Sequence, residues 1–151
     1  MRIYLVIVDE TAEARKALRF ASRRAQKTGG AVHVLALIPK EDFLAWGGVQ
    51  ATIEAESKDR AEALVASAAG TLFDESGVRP AMSIRQGDAV SNVKEFLAEH
   101  NEVSALVLGA AATGSPGPLV AHFAGSEAGA LPCPVMVIPG SLENEDIDRL
   151  S

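Results

Sequence analysis

Residues 3–8 read Ile3-Tyr4-Leu5-Val6-Ile7-Val8, and Asp9 ends the run. The run is short, rich in β-branched and aliphatic side chains, and does not alternate with polar residues. Such a run fits a strand buried on both faces, as in a parallel sheet covered by helices. It is too short for a membrane helix, which needs ~20 apolar residues. It also lacks the small-residue cleavage site of a signal peptide.

Working outward, Thr11 has the chemistry of a helix N-cap. Behind it Ala14, Ala17, Leu18, Ala21 and Ala25 recur at one helical face, and Gly29-Gly30 supplies the stop. Residues 31–38 (AVHVLALI) are a second buried strand, ended by Pro39. Residues 39–50 have no period and read as a loop carrying Phe43 and Trp46, either a lid or contact surface or aromatics folded onto the core. A second helix carries Ala61, Leu64, Val65, Ala68 and Leu72 on one face and ends near Gly77. Residues 80–86 form a third strand. Gly87-Asp88 is a strand-to-helix turn, with Asp88 capping a helix whose inner face is Val93, Phe96, Leu97 and His100. Residues 103–108 (VSALVL) are a fourth strand, followed by the loop GAAATGSPGP at 109–118. A short helix over about 118–129 and a fifth strand at 133–138 (CPVMVI) complete the pattern.

Strands alternating with helices predict an α/β fold: one parallel sheet with helices on both faces and right-handed crossovers. The 151 residues suit a single domain. The predicted domain is 1–140, and 141–151 is an acidic tail expected to be disordered. That tail contributes −3 of the formal charge of −6. An acidic body argues against nucleic acid as a partner. One cysteine, Cys133, excludes an intrachain disulfide and suits a cytoplasmic protein. It reads as a small core filler.

In open parallel sheets, ligands bind beyond the carboxyl ends of the strands, where strand order reverses. The residues there are Asp9, Leu37–Pro39, Gly87-Asp88 and Gly109 with its loop. The loop has two readings: a backbone cradle for an anion, or a plain turn. Asp9 also has two: acceptor for a ribose or base amine, or partner of the next helix's first turn. Gly109 and Gly114 have P-loop spacing, but Ser115-Pro116 stands where Lys-Ser/Thr is required. No G-x-G-x-x-G follows the first strand, and no G-x-S-x-G exists. His33 and His100 read as structural. His122, one turn past the loop, is a candidate anion contact. No metal spacing is present.

The opening strand with Asp9, the strand ending Leu37-Ile38-Pro39, the Gly87-Asp88 turn, the Leu108-Gly109 strand end and the closing Cys133-Pro134-Val135-Met136-Val137-Ile138 together resemble the universal stress protein family, over residues 1 to about 139. The resemblance implies strand order 3-2-1-4-5 and a homodimer joined through the last strand, hence Val135, Met136, Val137 and Ile138. Family members either bind ATP or do not. Binders carry Asp after the first strand, an aliphatic residue near the end of the second, and Gly-x2-Gly-x9-Gly-Ser/Thr after the fourth. Asp9, Leu37 and Gly109 match. Ala112 stands in the second glycine position, with Gly114 nearby, and Ala121-His122 occupies the final Gly-Ser/Thr place when counted back from Pro134. The implied nucleotide site is therefore Val8, Asp9, Leu37, Gly109, Ala112, Gly114, Gly117 and His122, degenerate in its phosphate half. The expectation is a non-catalytic stress-response dimer binding ATP or AMP weakly. The alternative is a true ATP or AMP binder with slow ATPase activity.

Overall fold

The computed structural model describes residues 1–38, 49–77 and 79–151. The chain runs β1 (Ile3–Val8), α1 (Ala12–Thr28), β2 (Ala31–Ile38), α2 (Val49–Ser76), β3 (Ala81–Gln86), α3 (Ala89–Glu99), β4 (Ala105–Ala110), α4 (Pro118–Ala121), β5 (Val135–Pro139) and α5 (Asn144–Leu150). The five strands form one sheet in the order β3-β2-β1-β4-β5, every pair parallel, as expected. The loop reading of Phe43 and Trp46 falls outside the described residues, while 49–50 already belong to α2.

The unalternating runs have a direct cause. Successive side chains of a strand point to opposite faces. Tyr4, Val6 and Val8 enter one core with α1 and α2, while Leu5 and Ile7 enter a second core with α3 and Phe123. Both faces are dry, so both sets must be apolar. Alanines at 14, 17, 21 and 25 are all buried, and their small side chains let α1 lie close to the sheet. Thr11 caps α1 by accepting from the Ala14 amide at 3.2 Å, and Gly29 ends it in the left-handed conformation at φ 66°.

Three boundaries differ from expectation. β4 runs from 105 to 110, so Gly109 lies inside the strand, opposite Ile138, rather than opening a loop. β5 begins at Val135, leaving Cys133 ahead of it, half-buried, with burial pushing its thiol pKa up. The expected helix over 118–129 is broken: one α-turn, a π-turn at His122–Ser126, then a 3-10 turn at Ala128–Ala130. Gly125 departs from helical angles (φ −108°, ψ −114°) and makes the kink.

The expectation of a disordered tail is corrected. Residues 144–150 form α5, which docks on the outer face of α1. Ile147 is fully buried. The acidic residues were counted in the sequence without their partners: Lys16, Arg19, Arg23 and Lys27 recur on one stripe of α1, opposite its alanine face. Arg19 donates through Nε (2.8 Å) and Nη2 (2.7 Å) to the two carboxylate oxygens of Asp148. Arg23 Nε lies 3.3 Å from the same carboxylate, and Lys27 donates to the Asp148 carbonyl at 2.8 Å. The Arg19 bond holds the Asp148 carboxyl below its usual range. Paired charges and a buried aliphatic side chain offset the entropy of ordering the segment.

Ile147→Ala should therefore destabilise the protein by about 2–5 kcal/mol, the cost typical of emptying a buried aliphatic site. Urea unfolding reads this directly. A midpoint equal to that of the wild type would mean that α5 does not dock.

Candidate functional site

Chain order reverses direction across the sheet between β1 and β4, whose neighbours lie on opposite sides. The crossovers leaving these two strands diverge, which opens a crevice at their carboxyl ends. A cleft of about 670 Å³ lies there, lined by Val8 and Asp9 after β1, Leu37 of β2, Gly87-Asp88 before α3, Gly109 of β4 and Pro116 to Val120. That volume lies within the ~300–1,000 Å³ typical of small-molecule sites.

Asp9 is held at the mouth by its own chain. Its Oδ1 accepts from the Thr11 amide at 2.9 Å and from the Thr11 hydroxyl. This is the local reading of Asp9, and it leaves Oδ2 as the acceptor for a ligand. Gly109 has a packing reason to be glycine. A methyl group built there would collide with the Glu13 carbonyl and lie 3.1 Å from the Ala14 amide nitrogen. The first turn of α1 thus rests on the bare backbone of β4.

The opposite wall is the β3–α3 turn. The Gly87 amide donates to the Ile38 carbonyl at 3.0 Å, and Asn92 Nδ2 donates to the carbonyls of Gln86 (2.9 Å) and Asp88 (3.0 Å). Asp88 accepts from the amide (2.9 Å) and hydroxyl (2.8 Å) of Ser91. These bonds, the amide first, hold its carboxyl below the usual range, and His122 adds to the effect.

The loop after β4 is closed by the Ala111 amide donating to the Pro116 carbonyl at 3.2 Å. Gly114 and Gly117 adopt positive φ (74° and 112°), so the loop needs glycine at both for its turns alone. Of the residues expected in a nucleotide site, Val8, Asp9, Leu37, Gly109 and Gly117 come together around the cleft. Ala112 and Gly114 are exposed on the loop and do not line it. His122 opens the π-turn, its ring edge-on to Phe123 at 5.0 Å. Its Nε2 is enclosed and has no hydrogen-bond partner among the described residues. His33 and His100 lie away from the cleft. His33 Nε2 bonds Ser83 Oγ at 2.9 Å, and His100 stacks on Phe96 at 3.9 Å. Burial, then the nearby His100, pushes the His33 pKa down.

Asp88 and Pro118 line the cleft, in keeping with the strand-end reading of Gly87-Asp88 and of the 109–118 loop although the family motif does not include them, and Glu13 lines it without having been expected. The Gly87-Asp88 strand end pointed toward Asp88. Glu13 had no such signal, because its position follows from the approach of α1 to Gly109. No group of metal-ligating side chains occurs among the described residues.

The outer edge of β5 is the second candidate surface. The Gly140 amide donates inward to the Ala110 carbonyl at 2.7 Å. Amide direction alternates along a strand, so the amides of Val135 and Val137 face outward. Pro139 has the same outward position, where its missing donor costs no ladder bond. The Val137 side chain is exposed, Ile138 is buried, and Val135 and Met136 pack against the two cores.

No curated protein sequence matches the chain. Among solved structures, the chain is similar to a universal stress protein of Lactobacillus plantarum (18% identity, TM-score 0.73, covering 91% of this chain and 97% of that one). It is also similar to a universal stress family protein of Arabidopsis thaliana with AMP bound (15%, TM-score 0.60, 92% of each chain). A third is a universal stress protein of Archaeoglobus fulgidus in complex with dAMP (19%, TM-score 0.57, 91% of this chain and 97% of that one). At these identities the likeness is one of fold. The model of the universal stress protein family matches residues 1–139, nearly all of the sheet and its helices, and the chain belongs to that family.

Proposed function

We propose that this protein is a non-catalytic, cytoplasmic regulatory homodimer whose β1/β4 cleft binds an adenine nucleotide weakly. The carrying observation is the cleft itself, which gathers Val8, Asp9, Leu37, Gly109 and Gly117 at one strand-end crevice. Two similar structures hold AMP or dAMP, which supports an adenine ligand. In this reading Val8 and Leu37 supply apolar contact for the base, and Asp9 Oδ2 accepts from a ribose hydroxyl or the base amine. Gly117 lets the ligand approach backbone, while Gly109 seats the first turn of α1 beside it. No helix among the described residues is long and apolar enough to cross a membrane. The outward amides of Val135 and Val137 are what a second copy would pair with.

Asp9→Ala should weaken AMP binding, read by calorimetry, at least about tenfold. Unchanged affinity would remove Asp9 from the site and the reading with it.

Val137→Pro deletes an outward amide without touching the β4–β5 ladder, so it should convert the dimer to a folded monomer in sedimentation. A variant that remains dimeric would place the contact elsewhere.

A further inference from the structure

We infer that the cleft selects against phosphate charge, binding an uncharged adenine nucleoside more tightly than its triphosphate. This rests on the adenine reading above and specifies which adenine ligand the site prefers. A fold of this kind offers phosphate three sources of positive potential: the N-termini of the helices facing the crevice, a run of backbone amides in the loop after β4, and cationic side chains. Here the first is partly filled, the second is thinned by prolines, and no cationic side chain lines the cleft among the described residues.

The N-terminus of α1 is occupied by its own chain, with Thr11 accepting from Ala14 and Asp9 placed beside it. The N-terminus of α3 is occupied by the Asp88 carboxylate, bonded to the Ser91 amide and hydroxyl. α4 has only four residues, and Pro118 stands at its first position. A helix that short has little dipole, and proline brings no donor. Pro116 removes a second amide from the loop, and the Ala111 amide is spent on the Pro116 carbonyl.

Charge points the same way. Asp9, Glu13 and Asp88 line the cleft, and no Lys, Arg or His does so among the described residues. Carboxylates accept hydrogen bonds from hydroxyl and amino groups but repel phosphate oxygens. Ribose and adenine therefore find acceptors in this cleft, and a polyphosphate chain finds like charge.

The test is equilibrium binding of adenosine, AMP and ATP to the full chain in EDTA. Adenosine should bind at least about tenfold more tightly than ATP, with AMP between them. Raising NaCl from about 20 to 300 mM should leave ATP binding unchanged or strengthen it, because salt screens repulsion. Asp88→Asn keeps a good N-cap residue, so the fold should survive. It should narrow the adenosine-to-ATP ratio by about threefold. ATP binding as tight as adenosine, or weakening with salt, would overturn the inference and leave the adenine reading standing. Binding of none of the three would overturn both.

Discussion

The first turn of α1 lies directly against the backbone of β4 at Gly109, and the candidate site is arranged around that contact. A side chain at Gly109 would meet the Glu13 carbonyl, and one at Gly140 would lie 2.6 Å from the Ala110 carbonyl oxygen and 3.3 Å from Glu13 Cβ. Two glycines, one in β4 and one just past the end of β5, thus accommodate one turn of one helix. Because α1 sits this low, Asp9 and the cap residue Thr11 line the crevice together with Gly117 and Pro118. The same placement carries the chain past Gly140, whose carbonyl accepts from Lys16 at 2.8 Å, and on toward α5. Family resemblance reads Gly109 as a ligand-binding residue. Geometry gives it a packing duty as well, and that duty exists whether or not a ligand binds.

Electrostatics divides the molecule along α1. Its inner face is alanine and meets the sheet. Its outer face is basic and is matched by Asp148 and the carbonyls of α5. Arg19, Arg23 and Lys27 are thereby turned to α5, while Asp9, Glu13 and Asp88 line the crevice. Asp88 accepts from the Ser91 amide and hydroxyl, which holds its negative charge in place, and Asp9 accepts from the Thr11 amide and hydroxyl. The cleft is consequently an acceptor-rich site with an apolar floor of Val8, Leu37 and Val120.

Most of the fold was legible in the sequence, because local rules and tertiary structure agree there. Residues 3–8 lack alternation since the two sets of side chains serve two cores, and Ala14 to Ala25 mark the face of α1 that must pack closely. Asp88 announced its cap by residue type. Within the site, Asp9 and Leu37 were legible as strand ends. The rest depended on partners distant in sequence. An acidic stretch such as 143–148 reads as a solvated tail until the basic stripe of α1 is known to lie beside it. The packing role of Gly109 requires knowing where Glu13 passes. The break after α4 follows from Gly125 and from packing of Phe123, neither of which disturbs the local pattern enough to show.

The central claim is that an adenine ligand occupies the crevice between β1 and β4. Amide chemical-shift mapping of the uniformly ¹⁵N-labelled protein during adenosine titration tests it most directly. The account predicts that the largest changes cluster at Val8, Asp9, Leu37, Gly109 and Gly117. It predicts no change around the smaller cavity at the amino ends of the strands, lined by Ser22, Gly30 and Val32. Shifts centred on that cavity or along the β5 edge, with the crevice silent, would contradict it.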